Sequence, residues 1–289
     1  MMAGINNIGD VRLRSYSSAF SRRGFQDILR FDDFGHLDWL YHTERNKLAV
    51  GITYLDYLQE IYRSLTRDYR CEYVFKNEVI HHLIQHYRTK HSVLFNEFRV
   101  GPSIADLAFF NGESRAFEIK TEFDSDKRLC KQMQDYCRLF DRCYLVIPAD
   151  EYVHYSTLVD NNVGIIILYY RNGRISLETI REAEVNSIVD VDLLMSCCRT
   201  QEYESYIKQR FGTLPEVPIR YLYSACCDLM RSLPSEELKE FFVSSVKQRR
   251  SDLNELRSLP KCLRQMCLSL NLGGKKSATL IEKLNSVIC

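Results

Sequence analysis

The stretch GPSIADLAFFNGESRAFEIK, Gly101 to Lys120, decides how this chain is read. Two apolar runs, 104–110 and 115–121, flank Asn-Gly-Glu-Ser, a strong turn signal, so the spacing predicts a β-hairpin. Charge interrupts both runs: Asp106 stands in the first, Glu118 and Lys120 in the second. Alternate residues of a strand share a face, so Glu118 and Lys120 point one way and Ile119 the other. Asp106 joins them if the register allows. Two carboxylates at the rim of a sheet suit a hard divalent cation held through oxygen. A lysine beside them can orient an attacking water or stabilise charge developing on a phosphate. Spacing alone leaves an exposed cross-strand ion pair as the alternative. The apolar surroundings favour the cation, because burying charge without a partner is costly.

Working outward, residues 92–100 read as a further strand, joined to the hairpin by Gly101-Pro102. Upstream, EYVFKNEVIHHLIQHYRTK puts Val79, Ile80, Leu83, Ile84 and Tyr87 on one helical stripe, with Glu78 beside it. Downstream, 124–140 reads as a helix capped by Asp124, with Leu129, Met133, Tyr136 and Phe140 inward. The runs 143–148 and 163–170 suit short strands buried on both faces. After about residue 190 the chain is helical and Leu-rich. The expected fold class is α/β, a mixed sheet flanked by helices, with an α-helical C-terminal region. Boundaries are expected near residues 70 and 185, giving 1–70, a core at 71–185, and a helical domain at 186–289.

Composition narrows the function classes. The chain has 289 residues, 45% of them apolar and 27% charged, with a net charge of +1. The whole chain therefore does not advertise a polyanion partner, and any nucleic-acid surface must come from local patterning. The apolar run Val163–Tyr170 is far too short to span a bilayer, so no membrane partner is expected. The N-terminus lacks the apolar core of a secretory signal. Eleven scattered cysteines without a C-x-x-C pair read as reduced thiols of a cytoplasmic protein rather than a zinc site.

Residues 104–148, IADLAFFNGESRAFEIKTEFDSDKRLCKQMQDYCRLFDRCYLVIP, resemble the PD-(D/E)xK nuclease superfamily, in particular a bacterial branch with D-(I/L)-A, E-I-K and an R-L-x-x-Q-x-x-x-Y helix. The resemblance covers roughly residues 76–180 and implies a restriction-endonuclease-like core. It implies metal ligation by Asp106 and Glu118, with Glu78 as an extra acidic ligand. Lys120 would be the catalytic lysine and Gln132 the polar residue of the following helix. The proline of the superfamily's name is Ala105 here. Mg2+ or Mn2+ is the implied cofactor. Arg128, one helical turn before Gln132, is a candidate phosphate contact.

Towards the C-terminus, Lys247, Arg249, Arg250, Arg257, Lys261, Arg264, Lys275 and Lys276 stand against Asp252 and Glu255, a local basic excess. The tail LRSLPKCLRQMCLSLNLGGKKSATLIEKL is also similar to a SAP motif, a small DNA-binding helical hairpin, over about residues 257–288. It has one extra residue before Leu280-Ile281. The alternative is a helix pair packed on its own domain. Together these features lead to an expected Mg-dependent phosphodiesterase acting on nucleic acid, DNA foremost, with a homodimer allowed. The rival is a catalytically silent module that binds nucleic acid or protein on the same fold.

Overall fold

The expected hairpin lies in the middle of a six-stranded sheet. A computed structural model describes residues 7–43, 51–87, 91–171, 173–249 and 253–288. Helices α1 (Asn7–Ser18), α2 (Arg22–Phe31), α3 (Gly35–Thr43), α4 (Tyr54–Asp68) and α5 (Glu72–His86) precede the sheet. The strands are β1 (Val93–Val100), β2 (Ser103–Phe110), β3 (Ser114–Ile119), β4 (Arg142–Pro148), β5 (Gly164–Arg171) and β6 (Arg174–Arg181), in spatial order β1-β2-β3-β4-β5-β6. β1, β2 and β3 form an antiparallel meander, whereas β3 and β4 run parallel. A parallel neighbour requires a crossover, which helix α6 (Leu129–Cys137) supplies. The short α7 (Tyr152–Ser156) follows β4. Beyond the sheet come α8 (Val191–Cys197), α9 (Thr200–Phe211), α10 (Ile219–Arg231), α11 (Ser235–Lys247), α12 (Asn254–Arg257), α13 (Arg264–Ser269) and α14 (Gly274–Leu284). The chain is thus mixed α/β with a helical C-terminal region, as its sequence predicts.

Two expectations need correction. The crossover helix starts at Leu129, not at Asp124, and Arg128 is its N-cap without a side-chain bond. Asp124 instead closes a turn with Thr121, accepting from both the Thr121 amide and its hydroxyl at 2.8 Å. Local side-chain bonds of this kind compete with helix formation. Strand β6 has no counterpart in the sequence reading. Half of its residues are exposed, so an edge position tolerates the Arg and Glu that hide the strand signal.

The chain divides into two compact units at places other than those predicted. One unit comprises Met1–His86, Leu168–Leu177 and Glu255–Cys289; the other comprises Tyr87–Ile167 and Glu178–Asn254. Helix α5 groups with the N-terminal helices, and α8 to α11 group with the sheet. The sheet-bearing unit is built around Phe98, Phe110, Phe140 and Phe242, whose rings meet at centroid distances of 5.4–6.2 Å. Phe242 carries α11 into that core, and each ring buries more apolar area than an aliphatic side chain would. In the other unit α13 packs on α5, and α14 packs on α2 and α4. There Thr53 and Asp56 form a capping box that starts α4.

Candidate active site

The ladder between β2 and β3 runs from Phe110–Ser114 to Leu107–Phe117 and stops there. In the same register the next rung would set Asp106 directly across from Glu118. Like charges opposite one another destabilise a strand pair. The strands part at this point, and the Asp106 carboxylate takes the place of a backbone acceptor: its Oδ2 accepts the Ile119 amide at 2.8 Å. β3 remains tied on its other side, where the Lys120 amide donates to Val146 O at 2.9 Å. The end of β3 therefore presents Glu118 and Lys120 from a fixed backbone.

Glu118 is 2% exposed and Lys120 8%. Lys120 Nζ donates to Glu118 Oε1 at 2.9 Å, and the other carboxylate oxygen lies 2.9 Å from the Tyr136 hydroxyl. That hydroxyl also lies 2.6 Å from Ile104 O. One hydroxyl proton cannot fully serve two acceptors. With Glu118 protonated the conflict disappears, since Glu118 donates to the Tyr136 oxygen and Tyr136 donates to Ile104 O. Burial first, and then the charge of Asp106, push the Glu118 carboxyl up to about 7, while Lys120 and Tyr136 pull it back. Gln132, one turn before Tyr136 on α6, directs its amide group at the same hydroxyl. Its Oε1 is buried and has no hydrogen-bond partner.

The donor set fits a hard divalent cation. Two carboxylates adjoin, one of them disfavoured as an anion until positive charge arrives, and an orphaned amide oxygen lies on the neighbouring helix. Among the described residues there is no group of three or more His, Cys, Asp or Glu able to hold a metal ion. Mg2+ does not require one, because it keeps several waters and is commonly bound by one or two carboxylates together with substrate phosphate.

Residues 66–262 match the family described as bacteriophage P4 protein cII. The chain belongs to this family. Protein cII of Enterobacteria phage P4 is 27% identical over 146 residues, which make up 50% of this chain and 54% of that protein, so the chain spans about half the length of that relative. Among solved structures, a protein of unknown function from Silicibacter pomeroyi matches at 17% identity with a TM-score of 0.32, covering 48% of this chain and 90% of that one. A likeness this slight carries no argument. The cII-family match includes Asp106, Glu118, Lys120, Gln132 and Tyr136.

The remaining residues predicted for the site are placed differently. Glu78 belongs to the other unit, where it is buried, accepts from Tyr62 Oη at 2.7 Å and pairs with Lys261 Nζ at 2.8 Å. Lys261 is thereby engaged within its own unit and is not a free cation of an outer face. Arg264 is likewise turned inward, donating to His81 Nδ1 at 2.6 Å and to Leu259 O at 3.3 Å. Arg249 forms a bidentate pair with Glu202 and donates to Cys197 O, and its side chain is only 10% exposed. Arg249, Lys261 and Arg264, expected in a basic grip, are thus each paired within the protein. Arg128, Lys275 and Lys276 are exposed, Lys247 is half-buried, and Arg250 lies outside the described residues. Tyr136 is a side chain of the candidate site that sequence reasoning assigned only to the core. Its spacing from Met133 and Phe140 does describe a buried stripe, and only the hydroxyl at the end of the ring betrays the second role.

Proposed function

We propose that this chain is a metal-dependent nuclease that hydrolyses phosphodiester bonds of nucleic acid, DNA foremost. The observation that carries the reading is the opening of the β2–β3 ladder at Asp106 and Glu118, with Lys120 2.9 Å from the Glu118 carboxylate. The resemblance to the PD-(D/E)xK superfamily supports it from a different direction, since the same three residues carry that resemblance. Asp106 and Glu118 would hold Mg2+ or Mn2+. Such an ion, when bound, supplies Lewis-acid polarisation of the phosphate and a more acidic water.

The protein's own groups have separable roles. Glu118 must give up a proton to act as a ligand, so proton and cation compete for it. Tyr136 fixes one Glu118 oxygen from the helix side. Lys120 is bonded to the other oxygen, within reach of a water or a phosphoryl oxygen beside that carboxylate. Gln132 Oε1 offers an acceptor that the fold leaves unused. The interior position makes each of these interactions stronger than it would be in water.

The test is cleavage of plasmid and of single-stranded and duplex oligonucleotides by purified protein with Mg2+ or Mn2+, beside the Lys120→Ala variant. Metal-dependent cleavage lost in the variant is expected. If Lys120→Ala cuts as fast as the wild type, this mechanism is wrong. Metal-dependent thermal stabilisation without cleavage of any form would instead select the catalytically silent binding module.

A further inference from the structure

Helix α6 ends on a cysteine, and strand β4 carries another near its start. Cys137 is the last residue of α6, and Cys143 is the second of β4. Between them the chain turns tightly, with the Leu139 and Phe140 amides donating to Tyr136 O at 3.0 and 2.9 Å. Alternate residues of a strand share a face. Cys143, Leu145 and Ile147 therefore point together, into a core that they share with Leu129, Met133 and Tyr136 of α6. Cys137 packs against that same core. The two sulfurs meet there, where the Cys143 thiol donates a hydrogen bond to Cys137. Both are free cysteines.

The two thiols are not equivalent. Cys137 is partly exposed, whereas Cys143 is buried. The bond from Cys143 holds the Cys137 thiol below its ordinary range, against burial and the charge of Asp160, and a hydrogen bond from Asn162 assists. Burial pushes the Cys143 thiol well up. The thiolate is the reactive form of cysteine, so the more acidic and more accessible thiol reacts first. Cys137 is thus a nucleophile that solvent reaches, with a second thiol already in contact behind it. A low, accessible thiol beside a partner that can resolve it is the arrangement that oxidants convert to a disulfide.

We propose that Cys137 and Cys143 are a redox modification site, joined in a reversible disulfide by a peroxide oxidant. The Cys137 thiolate attacks one peroxide oxygen, the O–O bond breaks, and hydroxide leaves from a Cys137 sulfenic acid. The Cys143 sulfur then attacks the Cys137 sulfur. The S–O bond breaks, and the hydroxyl departs with the Cys143 proton as water. The thiols are oxidised and the peroxide is reduced to water. The new bond staples the end of the helix that carries Gln132 and Tyr136 to the strand beside β3.

The test exposes the whole reduced protein to hydrogen peroxide, blocks the remaining thiols with N-ethylmaleimide in denaturant, and digests with trypsin without reductant. Arg138 and Arg142 lie between the two cysteines, so trypsin leaves them on separate peptides. The expected result is a disulfide-linked pair of these peptides by mass spectrometry, lost on adding dithiothreitol, with loss of the maleimide label from both cysteines. Cys143→Ala should leave Cys137 as a sulfenic acid that dimedone captures. Cys137→Ser should leave Cys143 fully labelled by maleimide after the same peroxide treatment. A wild type in which Cys143 keeps its maleimide label, or in which Cys137 links to any other cysteine, would overturn the proposal whatever the variants do.

Discussion

Replacing Glu118 by glutamine should stabilise the metal-free protein at alkaline pH while abolishing its activity. The buried carboxyl sits at about 7 against an ordinary 4.5, raised first by burial and then by Asp106. A tenfold change in a proton-binding equilibrium corresponds to about 1.4 kcal/mol, so ionising Glu118 in the folded state costs about 3 kcal/mol. Because the folded-state value is raised, the neutral group's contribution to stability is fully present below about pH 4.5. It is lost as pH rises through 7. Glutamine keeps the neutral shape at every pH and loses nothing over that window. Thermal unfolding in EDTA should therefore show the two proteins together near pH 4.5 and separated at pH 8, by ~6–12 °C for a domain of this size. Mg2+ should then close part of the gap by stabilising the wild type alone. A difference that does not change with pH, or a glutamine variant that melts below the wild type at pH 8, would refute the account of Glu118 as a desolvated carboxyl awaiting a cation.

Other substitutions separate scaffold from site. Lys120→Ala should eliminate cleavage, yet cost only about 1–3 kcal/mol near neutral pH, because Glu118 can take a proton when its cationic partner is gone; chemical denaturation checks this. Tyr136→Phe removes the hydroxyl shared by Ile104 O and Glu118, and should cost about 1–3 kcal/mol by the same measurement. Phe242→Ala empties the centre of the four-phenylalanine core and should cost about 3–5 kcal/mol, with partial unfolding visible at 37 °C. Arg249→Ala should destabilise by about 1–3 kcal/mol through the loss of the Glu202 pair, whereas Lys275→Ala and Lys276→Ala should stay within ~0.5 kcal/mol of the wild type.

Much of the sheet was legible in the sequence because its signals are local. Asn111-Gly112 marks the hairpin, the period of two sets the faces, and the short Val- and Ile-rich runs mark the buried strands. The pairing of Asp106 with Glu118 was within reach for the same reason, since counting back from the turn gives the register. What could not be read is partnership at long range. Glu78, Lys261 and Arg264 look like candidate surface or site charges until the fold brings 261–265 against α5, and Arg249 looks like a DNA contact until Glu202 meets it. A count of cations along a chain does not distinguish those facing solvent from those holding a buried carboxylate. Strand β6 escaped for the opposite reason: an edge strand in solvent has little of the apolar pattern by which strands are recognised.

The clasp around Asn77 has a consequence for how the protein is made. Asn77 Nδ2 donates to Lys261 O and to Tyr62 Oη, and its Oδ1 accepts the Gln265 amide, so two of its three partners lie 184 and 188 residues further along the chain. Until residues 261–265 have been made, Asn77 lacks two of its three partners. The sheet-bearing unit ends at Asn254, ahead of those partners. Synthesis therefore completes the sheet-bearing unit before the segment that supplies these partners of α5. A truncation before residue 261 would thus unsettle α5, far upstream of the break.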